Sequence, residues 1–570
     1  MAKDDKIERQ ALLGDEAVAL GAIHCGISAA YGYPGTPSSE ILQYLINESE
    51  TGGFKARWCS NEKTALEAAL GVSFAGRRAL VTTKHVGLNV AADPLINSAL
   101  LSIKGGLVIA VADDPGMHSS QNEQDSRFYA NFAMIPCLEP RNQQEAYDMT
   151  REAFDVSELF NIPVMLRLVT RLAHARAGVE VRGAIRQNEV SKTQETNGWV
   201  LIPSTARMNY ASLLNKQKVF EEWSDQHEVN KLTTNKLSLK QLMANKINKS
   251  GAGKAAAEKN IISNDLAVIT SGIGGNYYEE NLEDFINMRK EQGKGAPVHL
   301  HIGAYPLPGK KIRKVCEEAD EILIIEEGQP FIMQKVFGTL HLDVTSVIHS
   351  GELDPDNVRS ALGLPPRKTC NIKTGKLANR PPVLCQGCPH IDSFNAINKA
   401  VCALDSRKGH PDVAVNSDIG CYSLGFSPPL NAIESIVCMG ACVGMAKGAS
   451  DAGLKHALAV IGDSTFIHSG ITGLIDAVDS NTTMTLIILD NSSVAMTGCQ
   501  PTIVPSKNLK KLILGCGIKP ERILELEAKP NLVDENAGKL KAEIEQEGPS
   551  VVIFRRECLE AFRKNKKENF

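Results

Sequence analysis

The stretches Ala457-Leu-Ala-Val-Ile-Gly-Asp-Ser464 and Thr485-Leu-Ile-Ile-Leu-Asp-Asn491 decide the fold. Each is a short apolar run that stops on polar residues. Runs of this length, separated by a helical pattern starting near Ser469, read as neighbouring parallel strands buried on both faces. Asp463 and Asn491 then sit 28 positions apart, at the C-terminal ends of adjacent strands. That edge is where open α/β sheets bind ligands.

The residue types at that edge point to a metal–phosphate complex. Mg²⁺ takes hard oxygen ligands and commonly uses one or two protein side chains beside phosphate oxygens. Asp463 offers a carboxylate, Asn491 an amide oxygen, and the Ser493 carbonyl is placed as a third ligand. Gly462 permits close backbone approach, and the amides that follow it, from Ser464 on, can face a diphosphate. Gly-Asp alone is equally a strand-end turn. The pair on two strand ends favours the ligand reading.

Working outward, the same alternation fills most of the chain. Strands are predicted at 79–83, 107–112, 164–170, 266–270, 298–302, 321–325, 413–416, 458–461, 485–490 and 551–554. Helical patterns fall at 15–29, 62–75, 470–478 and 533–545. The fold class is therefore α/β with parallel sheets. Two breaks divide the 570 residues. A polar stretch, 181–264, reads as a helical and flexible connection, and the proline-rich 351–380 reads as a linker. The expected units are 1–180, 265–350 and 381–570. The short Gly272-Ile-Gly-Gly275 run reads as a tight strand–helix turn.

Composition excludes several classes. A net charge of −4 gives no basic surplus for nucleic acid or an anionic membrane. The locally basic 563–567 reads as a solvated tail. No segment reaches the roughly 18 apolar residues of a spanning helix. The charged N-terminus leads to no apolar core of a signal peptide, so a cytoplasmic protein is expected. In that setting the 14 cysteines read as thiols, metal ligands or redox groups rather than disulfides.

Asp463 and Asn491 at this spacing resemble the thiamine diphosphate enzymes. Further runs narrow the resemblance: Tyr33-Pro-Gly-Thr-Pro-Ser-Ser39, Asn61-Glu-Lys-Thr-Ala-Leu-Glu67, the segments 83–94 and 113–127, Leu384-Cys-Gln-Gly-Cys-Pro-His390 and Asp418-Ile-Gly-Cys-Tyr-Ser-Leu424. Over about 13–558 the sequence resembles the α subunits of indolepyruvate ferredoxin oxidoreductases, in the 2-oxoacid:ferredoxin oxidoreductase superfamily. The resemblance implies a pyrimidine-binding domain at 1–180, a transketolase-C-like domain at 265–350 and a diphosphate- and Mg²⁺-binding domain at 381–570. It implies oxidative decarboxylation of an arylpyruvate-type 2-oxoacid with CoA, giving an acyl-CoA. It also implies a hetero-oligomer with a smaller β subunit, and ferredoxin or a ferredoxin-like subunit as electron acceptor.

The same resemblance assigns roles. Glu62 matches the glutamate that shares a proton with the pyrimidine N1′, a job suited to a carboxyl in a dry pocket. From the residues alone, Glu62 is equally a first-turn glutamate that helices favour, and Glu67 is the alternative. Thr36 matches a threonine near the substrate. Lys84 and His85 follow a strand and face the site, where they would bind a carboxylate or donate a proton. His390 joins the cofactor-binding residues. His118 and Arg127 flank a polar loop that either covers the site or meets a partner.

Cys385 and Cys388 form a C-x₂-C pair. With Cys421 and Cys558 they match, position by position, the thiolates that hold a [4Fe–4S] cluster in related enzymes. Structural zinc and a redox dithiol remain alternatives, and Cys438, Cys442 and Cys499 are spare thiols. The family's α subunits usually carry a C-terminal ferredoxin-like domain, and its two C-x₂-C-x₂-C-x₃-C-P runs have no counterpart in this sequence. Two rival readings share the thiamine residues: a decarboxylase or carboligase without a cluster, and a non-catalytic scaffold.

Overall fold

The apolar runs become strands because β-branched residues pack well on a pleated surface covered on both faces. A computed structural model describes residues 8–233, 262–337, 365 and 382–568. Two parallel sheets dominate it. The first has seven strands, in the spatial order Ala304–Tyr305, Cys137–Leu138, Val164–Val169, Leu107–Asp113, Ala79–Lys84, Ala29–Gly32 and Lys55–Trp58. Only its edge pair, Ala304–Tyr305 on Cys137–Leu138, is antiparallel. The second has six parallel strands: Ser435–Ile436, Val413–Ser417, His456–Gly462, Thr485–Asp490, Ser550–Arg555 and Ile523–Glu527. Leu458 pairs with Thr485 and Gly462 with Leu489, so the two opening stretches are adjacent in register. The fold is the expected α/β class.

A third sheet lies between them in sequence. Glu321–Ile325, Ile262–Ser271 and Ala296–Ile302 run parallel, and Leu232–Thr233 adds an antiparallel edge. The turn at Gly272 leads into helix Gly274–Glu291, as the Gly-rich run implies. This sheet is clamped to the first by buried charge. Arg127 binds Asp125 at 2.5 Å and Glu326 at 3.1 Å, and Arg167 binds Asp113 at 2.7 Å. Arg167 also donates to Glu139 and, at 3.1 Å, to the Glu327 carbonyl.

The two large sheets meet through helices Glu62–Phe74 and Ala441–Asp451. Gly71 lies against the Met445 and Ala449 backbone, and Gly444 and Gly448 lie against Glu67 and Ala68. Small residues at these positions let the helices approach closely, so their N-termini fall at one end of the molecule.

Several elements differ from the sequence expectation. The pattern at 15–29 splits into helix Gly14–His24 and strand Ala29–Gly32. The helix expected near Ser469 begins instead at Asp463, and a π-helical turn at Phe466–Gly470 leads into Ile471–Asp479. The stretch 181–264 was expected to be helical and flexible. Its described part holds helix Pro203–Gln226, but residues before it form an extended strap across both large sheets. Ser191 and Thr193 donate to the Ala75 and Phe74 carbonyls, and Leu201 donates to Ile436. Val200 bridges Ile436, and Trp199 is fully buried edge-on to Phe74. The polar run at 248–254 and the linker at 351–380, apart from Pro365, lie outside the described residues. Among the described residues no helix is long and apolar enough to cross a membrane.

Candidate functional site

Strand His456–Gly462 delivers Asp463, and strand Thr485–Asp490 delivers Asn491, both onto the C-terminal edge of the second sheet. Ser492, at φ +60°, reverses the chain so that Ser493 returns beside Asn491. The Ser493 N–H donates to Asn491 Oδ1 at 3.1 Å. Gly462, Asp463, Ser464, Asn491, Ser493, His390 and Cys421 line one cavity of about 430 Å³. Gly462 and Gly420 are needed there, because the Tyr422 ring fills the space a β-carbon would take at either position.

Asp463 is 7% exposed. Burial pushes its carboxyl up to about 7, with the neighbouring Asp490 adding to the rise. Ser464 N–H donates to Asp463 Oδ1 at 2.9 Å, and Ser464 Oγ is buried without a partner. A buried carboxylate, an amide oxygen and a backbone carbonyl form a hard-oxygen donor set. That set fits Mg²⁺, and the unsatisfied Ser464 hydroxyl fits a phosphate oxygen.

A second cavity, about 100 Å³, adjoins the first. Cys385, Cys388, Cys421 and Cys558 line it together, with His390 and Asn491. Cys421, His390 and Asn491 therefore line both cavities. Burial pushes the Cys388 thiol up to about 11, and the other three cysteines add to that. His390 is buried, which holds its imidazole down near 4, so it is neutral at neutral pH. Cys438 and Cys442 lie elsewhere, in the buried groups around Glu67 and Asp418. Every described cysteine is a free thiol.

The N-terminal candidates gather at the corresponding edge of the first sheet. The Glu62 carboxylate fills the place of a side chain on Gly87 and lies beside Thr83. His85 Nε2 is 3.0 Å from the Asn122 carbonyl, and Lys84 Nζ donates to the Ser119 carbonyl at 3.2 Å. Ser119 Oγ in turn donates to the Thr36 carbonyl at 3.0 Å. The polar loop thus contacts the Thr36 backbone, Lys84 and the buried His85, whereas Arg127 at its end is locked into the buried ionic clamp. Thr36, Glu62, Lys84 and His85 line neither cavity. Glu62 comes nearest through its neighbour: Lys63 Nζ donates to Cys438 Sγ at 3.3 Å, and the adjacent Met439 lines the larger cavity.

Sequence reasoning gave no role to Asp418, Tyr422, Met439 or His468, although the first two lie in a quoted run. Tyr422 donates to Asp418, which also accepts from Gly440 N–H at 2.9 Å. Burial holds Asp418 near 7. The paired glycines at 420 and 462 were the available signal for a ring lying between them.

Residues 20–243 match the family described as pyruvate flavodoxin/ferredoxin oxidoreductase, thiamine diP-binding, and residues 418–554 match the thiamine pyrophosphate enzyme C-terminal TPP-binding domain. The indolepyruvate oxidoreductase subunit IorA of Archaeoglobus fulgidus is 35% identical over 98% of this chain and 88% of its own. The chain belongs to the IorA family of indolepyruvate oxidoreductase subunits. The IorA subunit of Methanothermobacter thermautotrophicus is 32% identical, over 96% of this chain and 86% of its own. A solved 2-oxoglutarate:ferredoxin oxidoreductase from Magnetococcus marinus aligns with a TM-score of 0.45 at 14% identity, covering 59% of this chain and 61% of that one. Membership of the IorA family makes the protein a thiamine diphosphate-dependent enzyme of 2-oxoacid oxidoreduction.

Proposed function

We propose that the protein is the large subunit of an enzyme converting an arylpyruvate-type 2-oxoacid and CoA into an acyl-CoA. The balance is RCOCOO⁻ + CoA-SH → RCO-SCoA + CO₂ + H⁺ + 2 e⁻. Thiamine diphosphate, when bound, supplies the electron sink for loss of CO₂. Asp463, Asn491 and the Ser493 carbonyl hold its Mg²⁺, and Gly462, Ser464 and His390 line the space for its diphosphate. Glu62 holds a proton against the pyrimidine. Thr36, Lys84 and His85, beside the polar loop, orient the 2-oxoacid carboxylate. A smaller β subunit completes the hetero-oligomer, and ferredoxin or a similar carrier takes the electrons.

One observation carries the oxidative reading over the non-oxidative one: Asn491, His390 and Cys421 line both cavities. A [4Fe–4S] cluster held by Cys385, Cys388, Cys421 and Cys558 would lie directly against the thiamine site. The test is anaerobic co-purification with the partner subunit, followed by viologen reduction with an arylpyruvate. Reduction that requires CoA, with four irons per chain, supports the proposal. CO₂ release without viologen reduction, in iron-free protein, refutes it in favour of a decarboxylase or carboligase.

A further inference from the structure

Away from the cofactor region, three side chains converge from three different helices. Asp15 lies in the first turn of helix Gly14–His24, Glu40 in the first turn of Ser39–Gly52, and His174 in the last turn of Thr170–His174. One oxygen of each carboxylate and a ring nitrogen of His174 lie within 4.8 Å of one another. Glu40 Oε2 is 3.5 Å from His174 Nε2.

Asp15 is 0% exposed, and neither of its carboxylate oxygens has a hydrogen-bond partner. The Ile41 N–H favours its charge. Glu40 Oε2 has no hydrogen-bond partner either. The next acid, Glu16, is already used: it accepts from Leu13 N–H at 2.8 Å and pairs with Arg176 at 3.2 Å. Among the described residues, no lysine or arginine pairs with Asp15 or Glu40. Two carboxylates so close, one of them wholly buried, repel each other when both are charged, and a cation between them would remove that repulsion.

We propose that Asp15, Glu40 and His174 bind a divalent transition-metal ion of the Zn²⁺ class. Two carboxylates and an imidazole are borderline donors, which suit zinc better than magnesium or calcium. Three protein ligands leave a position for water. The His174 side chain is 37% exposed, so it gives the ion a route in. The inference is independent of the thiamine chemistry.

Such an ion would tie together three helix ends at the C-terminal edge of the first sheet. Gly35 N–H donates to Ser39 Oγ at 2.8 Å, which links the loop bearing Thr36 to the residue before Glu40. Thr170 Oγ1 donates to Asp114 Oδ1 at 2.8 Å, which links the His174 helix to the loop over Lys84. Binding stiffens both loops at once.

Equilibrium dialysis of the full chain against micromolar Zn²⁺, with zinc counted by mass spectrometry, tests the site. Asp15→Asn and His174→Ala are each expected to retain one equivalent less than the unsubstituted chain. Zinc taken up by cysteines is common to all three and cancels. His174 is at the surface, so His174→Ala decides the matter even if Asp15→Asn fails to fold. Equal zinc content in the unsubstituted chain and His174→Ala overturns the proposal.

Discussion

The backbone N–H of Cys558 donates to the backbone carbonyl of Asn491 over 3.1 Å. Strands Thr485–Asp490 and Ser550–Arg555 are adjacent and parallel, so the residues beyond their ends are brought together. One hydrogen bond thus joins a candidate metal ligand to a candidate cluster ligand. Because it is a main-chain bond, the Cys558 side chain can be changed without cutting it. Cys558→Ser is expected to lose most bound iron and its paramagnetic signal on reduction. Thiamine diphosphate affinity should stay within roughly threefold, about 0.7 kcal/mol. Iron analysis and calorimetric titration on the same preparation check both halves.

Asp463 is the one carboxylate in the proposed Mg²⁺ set. Asp463→Ala is expected to weaken binding of thiamine diphosphate with Mg²⁺ by at least about 100-fold, or about 2.7 kcal/mol. Cys558→Ser makes the control, since it leaves the oxygen ligands in place. Titration calorimetry with the cofactor at saturating Mg²⁺ reads the difference.

Glu67 gives a pH signature. Burial pushes its carboxyl up to about 7, and the Lys63 ammonium, 3.0 Å away, offsets only part of that. A carboxyl raised in the folded state binds its proton more tightly there than in the unfolded chain. Its contribution is therefore complete below the unfolded value near 4.5 and is lost as pH rises through about 7. The loss is about 3 kcal/mol across that window. Thermal or denaturant midpoints of Glu67→Gln should fall less than those of the unsubstituted protein between pH 4.5 and 8. Parallel curves would remove Glu67 as the cause.

Trp199 is the anchor of the strap. It is fully buried, and its ring meets Phe74 at 5.2 Å, edge to face. Trp199→Ala leaves a cavity where the two large sheets meet and should cost about 3–5 kcal/mol. Trp199→Phe keeps a ring there and should cost clearly less. Urea unfolding followed by circular dichroism measures both.

The central strands were legible because continuous β-branched runs leave few other readings, and Thr485–Asp490 and Glu321–Ile325 fall where expected. Ala29–Gly32 and Lys55–Trp58 were not, since four residues of mixed size carry no period. The strap was hidden for another reason. Residues 191–198 are polar, and the strap is held by backbone hydrogen bonds to Phe74, Ala75 and Ile436, which leave no trace in side-chain pattern. Arg127 read only as the end of a polar loop and Arg167 drew no reading, yet both are buried because a third sheet closes over them. At the site, Asp463 and Asn491 were legible as spacing, and the four cysteines through the family resemblance. Their sharing of His390 and Cys421 between two cavities was not, because that depends on how loops from four strand ends fold over one another.

The strap also bears on how the chain acquires its structure. Val200 pairs with Ile436, which is made long after it. During synthesis the first sheet can form, with Trp199 against Phe74, before the second sheet is there to complete its cover. Contacts so distant in sequence close slowly, and the interval leaves apolar surface available to other chains. Assembly of the cofactor site therefore waits for the second sheet, and aggregation at high expression is the expected failure when that sheet is delayed.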